Sequence, residues 1–226
     1  MTNYPNISLP QGVRDILPEE AKKAGFVENA IISVFEKNGF KRVITPLLEY
    51  LDVVLLGLGA ELKDKIFKFV DPVSGKIVAI RPDVTPQVAR IVAARMKDYP
   101  MPLKLYYNEN VLRYEEPRGG MPVELLQIGA EYIGKDAPEA DAEIIAAAIE
   151  ALKKVKIKNF KIDIGHVGFF KGILEDIKVN KGIEKKIKDA VVIKDSSSLK
   201  EILLSNCLSG RQNKNNNAVK ILAELP

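Results

Sequence analysis

The chain has 226 residues, of which 46% are apolar and 28% charged, with 34 Lys and Arg against 30 Asp and Glu. At ~100 to 200 residues per domain this is one large domain or two small ones, and the balance of apolar and charged residues excludes a disordered chain. The net charge of +4 is too small to mark a nucleic-acid binder, so any anion site must be local.

In chain order, Pro18 fits the first turn of a helix whose apolar residues Ala24, Val27, Ile31, Val34 and Phe35 recur at helical spacing, and Asn38-Gly39 ends it. Arg42 to Thr45 reads as a short strand closed by Pro46, and Leu51 to Leu56 as a short buried segment running into the Gly57, Gly59 turn. Lys65 to Val70 and Lys76 to Ile80 flank the turn Asp71-Pro72-Val73-Ser74-Gly75, the pattern of a hairpin. Thr85-Pro86 reads as an N-cap followed by proline at the first helical position, with Val88, Ile91, Val92 and Met96 as the apolar face. Leu103 to Tyr107, Val111 to Glu116 and Val123 to Ile133 read as an antiparallel meander.

A helix is expected from Pro138 to Leu152, then a strand from Phe160 to Ile164, then a Gly165-His166-Val167-Gly168 turn into a short helix. Beyond Lys178 come Lys-rich helical pieces and the tract Arg211 to Asn217, which reads as a mobile loop. The expected division is a core at 1–178 and a helical, insertion-like segment at 179–226. Runs of strands flanked by helices, without regular βαβ alternation, favour an α+β fold on an antiparallel sheet.

Single Cys207 and His166 leave no material for a disulfide, a thiolate cluster or a multi-histidine metal site, so no metal or cofactor is expected. The opening MTNYPNISLP is not a signal sequence and no run of ~18 apolar residues occurs, so a cytoplasmic protein with no membrane partner is expected.

Three segments place charges inside apolar surroundings, where a charge needs a partner or a ligand. They are Arg81-Pro82-Asp83-Val84-Thr85, Arg113-Tyr114-Glu115-Glu116 and Glu124 to Glu131. Gln127, Gly129 and Glu131 share one strand face, and the glycine between two polar residues leaves room for a small ligand against the backbone. A solvated face with cross-strand ion pairs accounts for the same pattern.

Four motifs occur in the order found in histidyl-tRNA synthetases, and over residues 9–174 the chain resembles that family. They are Leu9-Pro10-Gln11-Gly12-Val13-Arg14-Asp15, Gly39-Phe40 with Thr45-Pro46-Leu47-Leu48-Glu49, Arg81 to Thr85, and Leu112-Arg113-Tyr114-Glu115 with Gln127 and Glu131. The resemblance implies the class II aminoacyl-tRNA synthetase-like core, an antiparallel sheet flanked by helices, dimerising through Gly39 to Glu49. In detail the chain is more similar to a non-ligase branch, the regulatory subunits of short-form ATP phosphoribosyltransferases. Arg81-Pro82-Asp83-Val84-Thr85 followed by Pro86-Gln87-Val88-Ala89-Arg90 stands where ligases typically carry Arg-Pro-Glu-Gly-Thr. Gly165-His166-Val167-Gly168 followed by two aromatics is also similar to that branch. For His166 a capping or packing role and a ligand role both stay open.

The resemblance also implies a histidine-binding set. Asp83 and Thr85 would approach the amino group, Gln127 would add an amide contact, and Glu131 would read the imidazole N–H. Arg113 matches an arginine that steadies the α-phosphate and carboxylate in ligases; an ion pair with Glu115 or Glu131 is its other reading. Ligases usually carry two further cations after Pro117, whereas this chain has Met121 and Val123 with only Arg118 in the loop. It also lacks the later histidine-binding signature and the third motif, and it reads as truncated at the C-terminal end.

The resemblance therefore implies no catalytic residues, no ligase activity and no tRNA partner. It implies a regulatory subunit that supports a short-form catalytic partner in the first step of histidine biosynthesis and relays inhibition by histidine, as a homodimer within a hetero-oligomer. The alternative is a synthetase-like enzyme core that activates histidine with ATP.

Overall fold

The structure is a computed structural model and describes residues 8–114, 123–177, 179–193 and 195–206. Helix α1 (Pro18–Lys37) opens with Pro18, which has no N–H to leave unpaired, and with Glu19 and Glu20 at the positive end of the helix dipole. Gly39 carries the chain out of the helix at φ +81°, a conformation that favours glycine. Strands β1 (Lys41–Arg42) and β2 (Leu48–Tyr50) follow, and then α2 (Leu51–Gly57). The hairpin pairs β3 (Lys68–Val70) with β4 (Ile77–Ile80) as expected. Helix α3 (Thr85–Arg95) then leads to β5 (Leu103–Leu112), β6 (Glu124–Ile133) and α4 (Pro138–Lys154).

The chain divides into two compact units, Met1–Phe160 and Lys161–Pro226. Among its described residues the first contains two three-stranded sheets, ordered β1-β5-β6 and β2-β4-β3. Every strand pair is antiparallel except β1 with β5, so the first sheet is mixed rather than purely antiparallel. The β5–β6 hairpin runs in one register from Leu103 opposite Ile133 to Leu112 opposite Glu124. Because side chains alternate, Leu103, Leu105, Tyr107 and Val111 face one way and pack on Val84, Val88 and Val92 of the α3 region. Tyr106 faces the other way and packs with Phe35 and Phe40 of the α1 region and Ala147 of α4. The second unit contains α5 (Val167–Ile177), α6 (Lys181–Val192) and α7 (Ser196–Asn206) around Leu174, Ile187, Leu199 and Leu203. No helix among the described residues is long and apolar enough to cross a membrane.

Four local expectations change. Leu103–Leu112 is one continuous strand, because the polar residues that read as a break all find partners: Asn108 donates to Glu28, Asn110 donates to Glu124, and Glu109 pairs with Arg81. Leu51 to Leu56 is helical and buries only Val54, while Leu56 is 88% exposed. Phe160 to Ile164 forms no strand, since no neighbouring strand pairs with it among the described residues. Thr85 is the first helical residue rather than the cap, and the carboxylate of Asp83 accepts its N–H. The tract Arg211 to Asn217 lies outside the described residues.

The two sheets meet at Arg81, only 5% exposed. Its backbone N–H bonds Leu47 and its carbonyl accepts from Leu112. Its guanidinium donates to the Asn110 carbonyl at 2.6 Å, to the Thr45 carbonyl and hydroxyl at 2.9 and 3.0 Å, and to the Glu109 carboxylate at 2.9 Å. Removing one partner of a buried pair leaves an uncompensated charge, at a cost of about 3–5 kcal/mol. Arg81→Met should therefore lower the unfolding free energy by about 3–5 kcal/mol, and adding Glu109→Gln should recover part of the loss, both read by equilibrium unfolding in urea.

Candidate functional site

The segment leaving Arg81 runs across the α3-facing side of the first sheet, where the middle of the hairpin is polar. Glu109, Gln127, Gly129 and Glu131 share this face with Tyr107, because Tyr107 stands opposite Gly129 and Glu109 opposite Gln127. The apolar residues Leu103, Leu105, Val111, Leu125 and Ile133 close both ends of the polar strip.

Asp83 is the hub. One of its oxygens accepts from the Thr85 N–H at 2.9 Å and the Gln127 amide at 3.2 Å, and the other faces the Arg113 guanidinium at 3.4 Å. Gln127 in turn accepts the Val84 N–H at 3.0 Å, so one amide ties the start of α3 to the middle of β6. Arg113 also donates to the Pro82 carbonyl at 2.7 Å. Its ionic partner is thus Asp83 and not Glu131, because Pro82 and Asp83 arrive beside the end of β5. Glu115, Arg118 and Met121 lie outside the described residues.

Glu131 closes the other end of the strip. Burial raises its carboxyl above the usual range and the charge of Asp83 adds to this, while hydrogen bonds with Thr85 and Tyr107 pull the other way. The Tyr107 hydroxyl lies 3.2 Å from the Thr85 hydroxyl and 3.4 Å from Glu131. Burial first, with the charges of Glu131 and Asp83 adding, pushes Tyr107 up to about 12.

All five expected residues, Asp83, Thr85, Arg113, Gln127 and Glu131, therefore fall on one connected cluster. Tyr107 was not expected there. The space beside Gly129 holds its ring instead of standing open for a ligand, since a Cβ on Gly129 would lie 2.3 Å from the phenol oxygen. The available signal was Tyr107's period-two spacing with Leu103 and Leu105, read together with the hairpin register. His166 belongs to the second unit, where its ring lies against Gly168 at the start of α5. Chemically, the cluster offers carboxylates at two ends, hydroxyl groups near Glu131 and one arginine, an arrangement that accepts N–H donors.

Residues 12–225 match the family model described as histidyl-tRNA synthetase. The chain is 48% identical over 201 residues to the ATP phosphoribosyltransferase regulatory subunit of Geobacter sulfurreducens, covering 89% of this chain and 46% of that protein. It is 47% identical to the regulatory subunit of Geobacter metallireducens, covering 93% of this chain and 49% of that one. The chain thus spans about half the length of these curated relatives. A crystal structure of a Bacillus halodurans protein, described as an ATP phosphoribosyltransferase regulatory subunit/histidyl-tRNA synthetase, superposes with a TM-score of 0.85 at 32% identity. That match covers 99% of this chain and 56% of the other.

The raised carboxyl of Glu131 has a consequence for stability. A group whose folded pKa exceeds its unfolded value stabilises the fold fully below the unfolded value, and that contribution is lost as pH rises through the folded one. Glu131→Gln mimics the protonated form, so without ligand it should melt at a higher temperature than wild type at neutral pH. The gap should close below about pH 4, where the wild-type carboxyl becomes protonated in both the folded and the unfolded state. Thermal melts followed by circular dichroism across that range test the sign.

Proposed function

The chain belongs to the histidyl-tRNA synthetase family, and from that premise we propose that it is a non-catalytic regulatory subunit of a short-form ATP phosphoribosyltransferase. On this reading it binds histidine at the Asp83–Glu131 cluster, supports the catalytic glycosyltransferase subunit in the first step of histidine biosynthesis, and relays feedback inhibition in the cytoplasm. The names of the relatives support it. The observation that carries it is the acceptor-rich chemistry of the cluster, whose arginine is already engaged.

A histidine ligand presents an ammonium group and a ring N–H, both donors, and Asp83 and Glu131 are acceptors at opposite ends of the strip. A triphosphate instead needs several fixed cations aimed at developing charge. Arg113 is held by Pro82 and Asp83, and Arg81 is enclosed by Thr45, Glu109 and Asn110. Arg81 is thus enclosed, and Arg113 already has Nε and one Nη engaged, which among the described residues of the cluster falls short of the several cations a triphosphate needs.

The same reading assigns a homodimer interface to Gly39–Glu49 and Leu51–Leu56. Large apolar side chains are exposed there, with Ile44 at 67%, Leu56 at 88% and Leu47 and Leu48 each above 40%. A symmetric homodimer would bury the same patch on both copies.

Two measurements test the proposal. Calorimetric titration of L-histidine, with the short catalytic subunit present, should show about tenfold or more weaker binding for Glu131→Gln, since a hydrogen bond to a charged group is worth roughly 1.5–3 kcal/mol. Equal affinities would move the effector site elsewhere. Histidine-dependent pyrophosphate exchange with ATP and magnesium should be undetectable, and measurable exchange would favour an enzyme core that activates histidine.

A further inference from the structure

The Tyr107 ring lies across Gly129, and its hydroxyl stands between Thr85 and Glu131. An ionised carboxylate only accepts, so the contact between Tyr107 and Glu131 needs the phenol to donate its proton, whereas between the Tyr107 and Thr85 hydroxyls either oxygen can donate. With its pKa near 12 the phenol keeps that proton throughout the physiological range. One oxygen of Glu131 is therefore occupied by an O–H donor. The other is left as an acceptor.

We propose that Tyr107 is a positioning residue, which holds one oxygen of Glu131 so that the carboxylate stays ionised and presents its second oxygen to a ring N–H of the ligand. The inference rests on the reading of this cluster as a histidine site, and it assigns the orientation of Glu131 to a residue that need not touch the ligand. The charged groups facing the pair are Asp83, with Arg113 across it, and Glu109, which is neutralised by Arg81. At 3.4 Å the Tyr107–Glu131 link is long for an O–H···O bond, so the expected effect is moderate.

Tyr107→Phe keeps the ring over Gly129 and removes only the hydroxyl. In the unliganded protein, carbon-detected NMR titration of the Glu131 carboxyl should show its midpoint moving upward, because the charged form loses a donor. L-histidine affinity should fall about three- to tenfold at neutral pH. The acid limb of the affinity–pH profile should move to higher pH, a change that a purely structural role would not produce. Incorporating 3-fluorotyrosine at position 107 makes the phenol a stronger donor and should move the midpoint downward, which keeps the test available if Tyr107→Phe does not fold. An unchanged Glu131 midpoint in a folded variant overturns the proposal. Wild type that binds no histidine overturns the histidine reading instead, while the unliganded titration still decides the role of Tyr107.

Discussion

A guanidinium withdrawn from water must find acceptors for its N–H groups, and at Arg81 this requirement gathers residues far apart in sequence. Thr45 from the loop before β2, Glu109 and Asn110 from β5, and the end of β4 meet around one side chain. A buried ion pair is weak evidence of net stability, because desolvation offsets most of the attraction. Its stronger effect is geometric. The bonds of Arg81 tie both sheets to one side chain, and its own backbone bonds to Leu47 and Leu112 hold the same junction.

Everything proposed for the site follows from that junction. The four residues after Arg81 leave it in one direction, so Pro82 meets Arg113, Asp83 meets Gln127, and Thr85 starts α3 above Tyr107. Val84 and Val88, both fully buried, press this segment onto the hairpin. The cluster is thus organised before any ligand arrives, which lowers the ordering cost of binding. Partial burial of two carboxylates in one strip works against stability, as the raised pKa of Glu131 records. A ligand bringing positive charge and N–H donors would relieve that strain, the usual conflict between a binding site and the fold that carries it.

Much of this was legible in the sequence. The helices α1, α3 and α4 carry their own signals in proline starts and apolar spacing, and the β3–β4 hairpin in its turn residues. The family and the five residues of the cluster were legible from motif order, since a short motif keeps its chemistry together along the chain. The strand through Asn108, Glu109 and Asn110 was not, because three consecutive polar residues look like a break until their partners are known. Those partners are Glu28 of α1, Arg81 just after β4 and Glu124 of β6, none of them on β5 itself.

The sequence by itself determined which residues are apolar, which face each alternates onto, and which charges need partners. Tertiary structure alone decided the partners. Arg113 pairs with Asp83 because two chain segments converge there, and Glu131 gains a phenol because the register sets Tyr107 opposite Gly129. A one-residue slip would turn every side chain of β6 to the other face. Local pattern specifies a face, but what that face meets depends on long-range packing.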